Sequence, residues 1–234
     1  MKYIVSAILW AYGLTVFAIL ILLSIGGMYV LPEKQGHALV RFFMRWFFRL
    51  ILIPVKIEGK ENYHKTESYI IMPNHVSFFD APLVQNLPMR LKGIEDESHF
   101  RWPVYGLLLK KYGNIPIDRT SVRSSLRSLE SAFKMATDGM SVLVFPEGTR
   151  TRTGKLVEFK KLPFRFVKEN NLPILPVGFS GLYTLNPKSG FIISPTSLKI
   201  KIGEAISSEF IQNHSIEEIM ELTRQRIEGL IEKP

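Results

Sequence analysis

No cysteine occurs among the 234 residues. That excludes a disulfide scaffold, thiolate zinc sites, cysteine-ligated iron–sulfur clusters and a cysteine nucleophile. The H-E-x-x-H pattern is missing as well, and five histidines without cysteine offer no zinc-ligand spacing. Neither a Walker A loop nor a G-x-G-x-x-G turn is present, so nucleotide cradles of those kinds are excluded. Gly178-Phe179-Ser180-Gly181 lacks the second spacer of a nucleophile elbow, and Ser77 stands two residues from His75 with no elbow around it. A serine hydrolase is therefore not expected. Acid is scarcer than base, with 21 Asp and Glu against 30 Lys and Arg and a net charge of +9. Such a surplus favours anionic partners such as phosphate, anionic lipid or nucleic acid. Nucleic acid is not expected, because none of its recognition motifs occurs.

What is present is unevenly distributed. From Ile4 to Leu31 the chain has no charged residue and is rich in Leu, Ile, Val, Phe, Trp and Tyr. As an unbroken helix this run would measure about 42 Å, against roughly 30 Å for a hydrocarbon core. The Gly26-Gly27 pair is expected to break it early. A cleaved secretory signal is the alternative, but the run is longer than the usual apolar region and no A-x-A site follows. Between Glu33 and Ile53, Arg41, Arg45 and Arg49 recur every four residues beside Phe42, Phe43, Trp46, Phe47 and Phe48. Four-residue spacing puts the arginines on one arc of a helix, as a helix at the lipid headgroup level requires. An amphipathic helix docked on a core would show the same periodicity. The expected organisation is a membrane-associated two-helix anchor over 1–53 and a catalytic domain over 54–234.

From Val55 onward, short β-branched runs alternate with helical patterns, the signature of an α/β layer architecture. Strands are predicted at Val55–Ile57, Tyr69–Met72, Ile115–Ile117, Val142–Phe145, Ile174–Val177 and Leu198–Ile202. Helices are predicted at Asp80–Asn86, Val104–Lys111, Ser121–Ala136, Leu162–Glu169 and Ile216–Ile231.

The sharpest local pattern is Asn74-His75-Val76-Ser77-Phe78-Phe79-Asp80, directly after an apolar strand and before Pro82. Residues five apart do not meet on a helix or a strand, but a strand–turn–helix junction brings them together. Pro82 makes Asp80 a candidate N-cap. An ionised Asp80 would hold one imidazole nitrogen of His75 as a donor and leave the other as a base. A polar turn with a capping aspartate would show the same residues. Two further strands end in polar turns: Gly113-Asn114-Ile115-Pro116-Ile117-Asp118-Arg119 and Val142-Leu143-Val144-Phe145-Pro146-Glu147-Gly148-Thr149-Arg150. Arg119 and Arg150 would sit at strand ends, where open α/β sheets bind ligands, and arginine suits bidentate phosphate contact.

Taken together, Asn-His-x-x-x-x-Asp at 74–80, Gly-x-Ile-x-Ile-Asp-Arg at 113–119, Phe-Pro-Glu-Gly-Thr-Arg at 145–150 and Leu-Pro-Ile-Leu-Pro-Val at 172–177 resemble the four ordered blocks of the glycerolipid acyltransferase family. The resemblance implies a central mixed sheet flanked by helices, behind an N-terminal two-helix membrane anchor. It implies His75 as general base, Asp80 as its orienting partner, and Gly113 with Arg119 as the acceptor-phosphate block. Glu147, Gly148, Thr149 and Arg150 match the block linked to acceptor binding, and Pro176 marks the block associated with the acyl donor. The implied reaction moves an acyl chain from a thioester to the sn-2 hydroxyl of lysophosphatidic acid, with acyl-coenzyme A or acyl-acyl carrier protein as co-substrate and no cofactor or metal. The implied place is the cytoplasmic face of the inner membrane.

Backbone N–H groups near the start of the helix after Asp80 are the expected oxyanion donors. One segment departs from the family pattern. Where many relatives carry a lysine-containing Ala-Lys-x-Glu stretch, this chain reads Gly93-Ile94-Glu95-Asp96-Glu97-Ser98. Carboxylates there would repel a phosphomonoester, so another lysolipid or an amino-acid-derived lipid is the alternative acceptor. A catalytically idle lipid-binding scaffold is the alternative from another class.

Overall fold

The computed structural model describes residues 1–118, 120–188 and 190–232. Helix α1 (Lys2–Val30) and helix α2 (Glu33–Leu50) precede an α/β unit of β1 (Val55–Glu58), β2 (Ile70–Pro73), α3 (Asp80–Val84), β3 (Leu91–Asp96), α4 (Tyr105–Tyr112) and β4 (Ile115–Ile117). The chain continues through α5 (Val122–Thr137), β5 (Ser141–Leu143), α6 (Lys161–Glu169), β6 (Ile174–Ser180), α7 (Leu182–Leu185), β7 (Leu198–Ile202), α8 (Ser208–Asn213) and α9 (Ile216–Leu230). The strands form one seven-stranded sheet in the order β1-β7-β6-β2-β5-β3-β4. Pairing is parallel throughout except between β6 and β7, so the sheet is mixed, as expected.

Strand periodicity divides the core. In β2, Ile71 and the preceding Tyr69 face the cluster that holds α1, α2, α3 and α4, while Ile70 and Met72 face the one that holds α5, α6 and α9. All six predicted strands occur, with ends shifted by at most three residues. Strand β3 went unread because Leu91-Lys92-Gly93-Ile94-Glu95-Asp96 combines glycine with acids, a composition depleted in strands. It is held instead by β5 and β4 on its two sides.

The glycine pair does not break α1, which runs through Gly26 and Gly27 to Val30. A Cβ on Gly27 would lie 2.1 Å from Leu39 Cδ2, so this glycine lets α2 approach rather than ending the helix. The stop comes at Leu31, the residue before Pro32, where the helical region is disfavoured. Helix α1 is the one described helix long and apolar enough to cross a membrane. It packs along the body of the protein: Trp10 Nε1 donates to the carbonyl of Phe191, Ser6 Oγ accepts from the N–H of Ile193, and Met28 meets Gly36 of α2. Its outer side exposes Ile4, Ile8, Leu14, Ile19, Leu22 and Leu23.

Helix α2 combines both readings of its pattern. Val40, Met44, Phe47 and Phe48 are buried in the shared core, whereas Phe42, Trp46, Arg45 and Arg49 are exposed, with the Arg49 guanidinium 5.2 Å from the Trp46 ring centre. His37 is fully buried on this helix, stacked on Tyr112 with ring centres 4.1 Å apart, and neither ring nitrogen has a hydrogen-bond partner. Burial pushes its pKa down to about 4, opposed by Glu33. Because the folded value lies below the unfolded one, the stability it contributes is complete above about pH 6.5 and is lost as pH falls toward 4. The loss is on the order of 3 kcal/mol. Thermal unfolding in detergent should show a steeper decline in Tm over this interval for the natural chain than for His37→Phe. Parallel declines would contradict the assignment.

Candidate active site

Strand β2 is buried on both faces and ends at Pro73; the chain then turns for six residues before α3 starts at Asp80. Within that turn His75 Nδ1 lies 2.5 Å from Asp80 Oδ2. The same oxygen accepts from the N–H groups of Val76, at 2.8 Å, and Ser77, at 3.0 Å. Asp80 is therefore not an N-cap. It is the first residue of α3 and takes its donors from the preceding turn, not from the helix it begins. A carboxylate at Nδ1 fixes the neutral imidazole tautomer with its lone pair on Nε2. The imidazole stacks on Phe145, with ring centres 3.9 Å apart, and stays partly exposed.

Two expectations about neighbouring groups change. The N–H groups of Val76 and Ser77 are bound to Asp80, and those of Phe79 and Asp80 are bound to Ser77. Those four donors are thus taken, which narrows the oxyanion candidates at the start of α3 to the N–H groups of Phe78 and Ala81, both residues of the cavity wall described below. Glu147 is buried and faces the backbone: Oε1 accepts from the N–H of His75 at 2.6 Å and Oε2 from that of Val157 at 2.9 Å. Burial pushes its carboxyl up, and those two N–H groups pull the other way. The carbonyl of His75 accepts from the N–H of Thr151 at 2.8 Å. The loop after β5 therefore grips the base by both sides of its backbone.

A cavity of about 330 Å³ opens beside the pair. His75, Asp80, Thr149 and Arg150 line it, joined by Phe17, Val40 and Met44 from the two N-terminal helices. The other described candidate residues lie outside this lining. Gly148, at φ +65°, forms the turn behind Thr149. Gly113, at φ +80°, is the left-handed residue that ends α4, its N–H bonded to the carbonyl of Leu109, and it faces Lys92. Pro176 is buried within β6, opposite Met72 of β2. Arg119 lies outside the described residues.

Three contributors had no role assigned from the sequence. Asn74 accepts from the N–H of Phe179 at 2.7 Å and donates to its carbonyl at 3.0 Å, tying the His75 turn to β6. Ser77 Oγ donates to the carbonyl of Asn186. Lys188 lines the cavity and donates to Thr149 Oγ1 at 2.8 Å. Asn74 was legible as part of the first block; Lys188 had no local signal, because 39 residues separate it from Thr149.

A base held by a carboxylate, in a cavity walled partly by apolar helices, is what a transferase acting on a lipid alcohol needs. The Acyltransferase family model matches residues 54–180, starting where the two helices end, and the chain belongs to that family. Among curated proteins it is similar to the 1-acyl-sn-glycerol-3-phosphate acyltransferase of Limnanthes douglasii, with 30% identity over 76% of this chain and 62% of that protein. It is also similar to the enzyme of that name from Borreliella burgdorferi, at 29% identity over 76% of this chain and 67% of the other. The chain spans about three-fifths of the length of the first of these. The crystal structure of a 1-acyl-sn-glycerophosphate acyltransferase from Thermotoga maritima shares the fold, with a TM-score of 0.81, 24% identity and 98% of each chain covered.

Proposed function

We propose that the protein transfers an acyl chain from a thioester, carried by coenzyme A or acyl carrier protein, to the sn-2 hydroxyl of lysophosphatidic acid, giving phosphatidic acid. The observation that carries this reading is the 2.5 Å His75–Asp80 contact at a cavity shared with α1 and α2. The names of the relatives in plants and bacteria support the acceptor.

In this scheme Nε2 of His75 takes the proton of the acceptor hydroxyl as its oxygen attacks the thioester carbon. The carbon–oxygen bond forms, and charge develops on the former carbonyl oxygen. The carbon–sulfur bond then breaks, and the proton on Nε2 passes to the departing thiolate. Asp80 remains ionised and stabilises the transient imidazolium. Arg150 and Lys188 supply positive charge for the acceptor phosphate on the wall beside Thr149. Acyl-donor binding at Pro176 and phosphate binding at Arg119 remain part of the proposal on the strength of the family pattern.

Helix α1 is bound to the body of the protein along its length, which favours a helix lying in one leaflet with its exposed apolar side in lipid. The thioester donors are cytoplasmic, so the proposed face is the cytoplasmic one. Purified protein in vesicles containing lysophosphatidate, supplied with labelled acyl-coenzyme A or acyl-acyl carrier protein, should form labelled phosphatidate. Absence of phosphatidate with both donors would refute the proposal.

A further inference from the structure

The cavity holds a second imidazole that the scheme above does not use. Glu95, near the end of β3, and His99, in the 3-10 turn Glu97–Arg101, both line it. His99 Nδ1 lies 2.5 Å from Glu95 Oε1, and Nε2 has no partner among the described residues. This connectivity repeats that of His75 and Asp80. The ring is fixed edge-on to Trp102, with ring centres 4.7 Å apart, and also meets Tyr105. Among the described lining residues, Arg150 and Lys188 are the cations of the cavity.

We infer that the Glu95–His99 pair reads the head group of the acyl acceptor and admits, beside lysophosphatidic acid, lysophospholipids that carry a hydrogen-bond donor beyond the phosphate. The inference rests on the acyl transfer proposed above. With His99 neutral, Glu95 fixes the proton on Nδ1, so the pair bears one negative charge and offers a lone pair on Nε2. That combination accepts a hydrogen bond from an ammonium or hydroxyl group and disfavours the second charge of a bare phosphomonoester.

Other charged and titratable groups lie near the pair in the chain or on the cavity wall. Asp96 caps the turn by accepting from Ser98, and Glu97 pairs with Arg101 at 2.9 Å. Asp118 follows β4, and Tyr105 of α4 carries a hydroxyl that burial keeps protonated. His75, Asp80, Asp96, Tyr112, Arg150 and Lys188 are the remaining ionisable groups among the described lining residues.

The test is a competition between equimolar lysophosphatidate and lysophosphatidylethanolamine of one chain length, in the same vesicles and with one labelled thioester. The product ratio equals the ratio of the two kcat/KM values, so effects shared through His75 cancel. For the natural chain at about pH 8 both lipids should be acylated. In His99→Phe, which removes the lone pair on Nε2, the ratio of phosphatidylethanolamine to phosphatidate should fall roughly tenfold. In Glu95→Gln at about pH 8 it should fall roughly tenfold toward phosphatidate, because the repelling charge is gone. Total product from each variant verifies that it folds. Phosphatidate as the sole product, or variant ratios equal to that of the natural chain, would overturn the inference and leave the acyl transfer standing. Acylation of neither lipid would overturn both.

Discussion

Replacement of His75 by alanine is expected to lower kcat for acyl transfer by about 10²–10⁴ while leaving the melting temperature close to that of the natural chain. The first part follows from the geometry: Nδ1 is tied to Asp80, and the ring has no other means of aligning a base with an acceptor hydroxyl. The second follows from what the side chain does not do. His75 is partly exposed, and the turn is fixed through its backbone and through Asn74 and Asp80, which the substitution leaves in place. Asp80→Asn should behave differently. An amide can still accept from Val76 and Ser77, but it no longer stabilises the imidazolium, so kcat should fall while KM for the lysolipid changes little. Steady-state kinetics on vesicles, alongside thermal melts, measures both. An alanine variant that retains the natural rate would remove His75 from the chemistry.

Glu147→Ala is expected to destabilise the fold by about 2–4 kcal/mol and to depress kcat at temperatures where the variant is still folded. The family pattern links this residue to acceptor binding, yet both carboxylate oxygens are taken by backbone N–H groups, of His75 and of Val157. Truncation leaves two partly buried donors unpaired and frees the histidine-bearing turn from the loop after β5. Glu147→Gln keeps one acceptor oxygen and should fall between the two in both stability and kcat. The diagnostic is the pattern of change. A backbone clamp predicts lower Tm and lower kcat with KM for lysophosphatidate little altered. A direct contact with acceptor would raise KM and leave Tm in place.

What the chain disclosed in advance divides along physical lines. His75 and Asp80 were legible because five residues across a strand–turn–helix junction are a local constraint, and the six read strands were legible because β-branched runs mark them. Strand β3 was not, since its place depends on the neighbours β4 and β5 and not on its own composition. The same holds for the site. Lys188 reaches Thr149, and Asn74 reaches Phe179, over separations that only the folded sheet closes. Gly27 reads as a helix breaker in a one-dimensional pattern, whereas in the fold it admits Leu39 of a second helix. Arg119, prominent in the sequence pattern, lies outside the described residues.

The central claim is that His75 activates the acceptor itself, so that acyl transfer is direct and no acyl group resides on the protein. Mixing the protein in vesicles with a labelled acyl thioester, first without and then with lysolipid, tests this. The account predicts unlabelled protein and no thiol release until acceptor is added, followed by thiol and labelled phospholipid in equal amounts. Stoichiometric label on the protein before acceptor is added would contradict it.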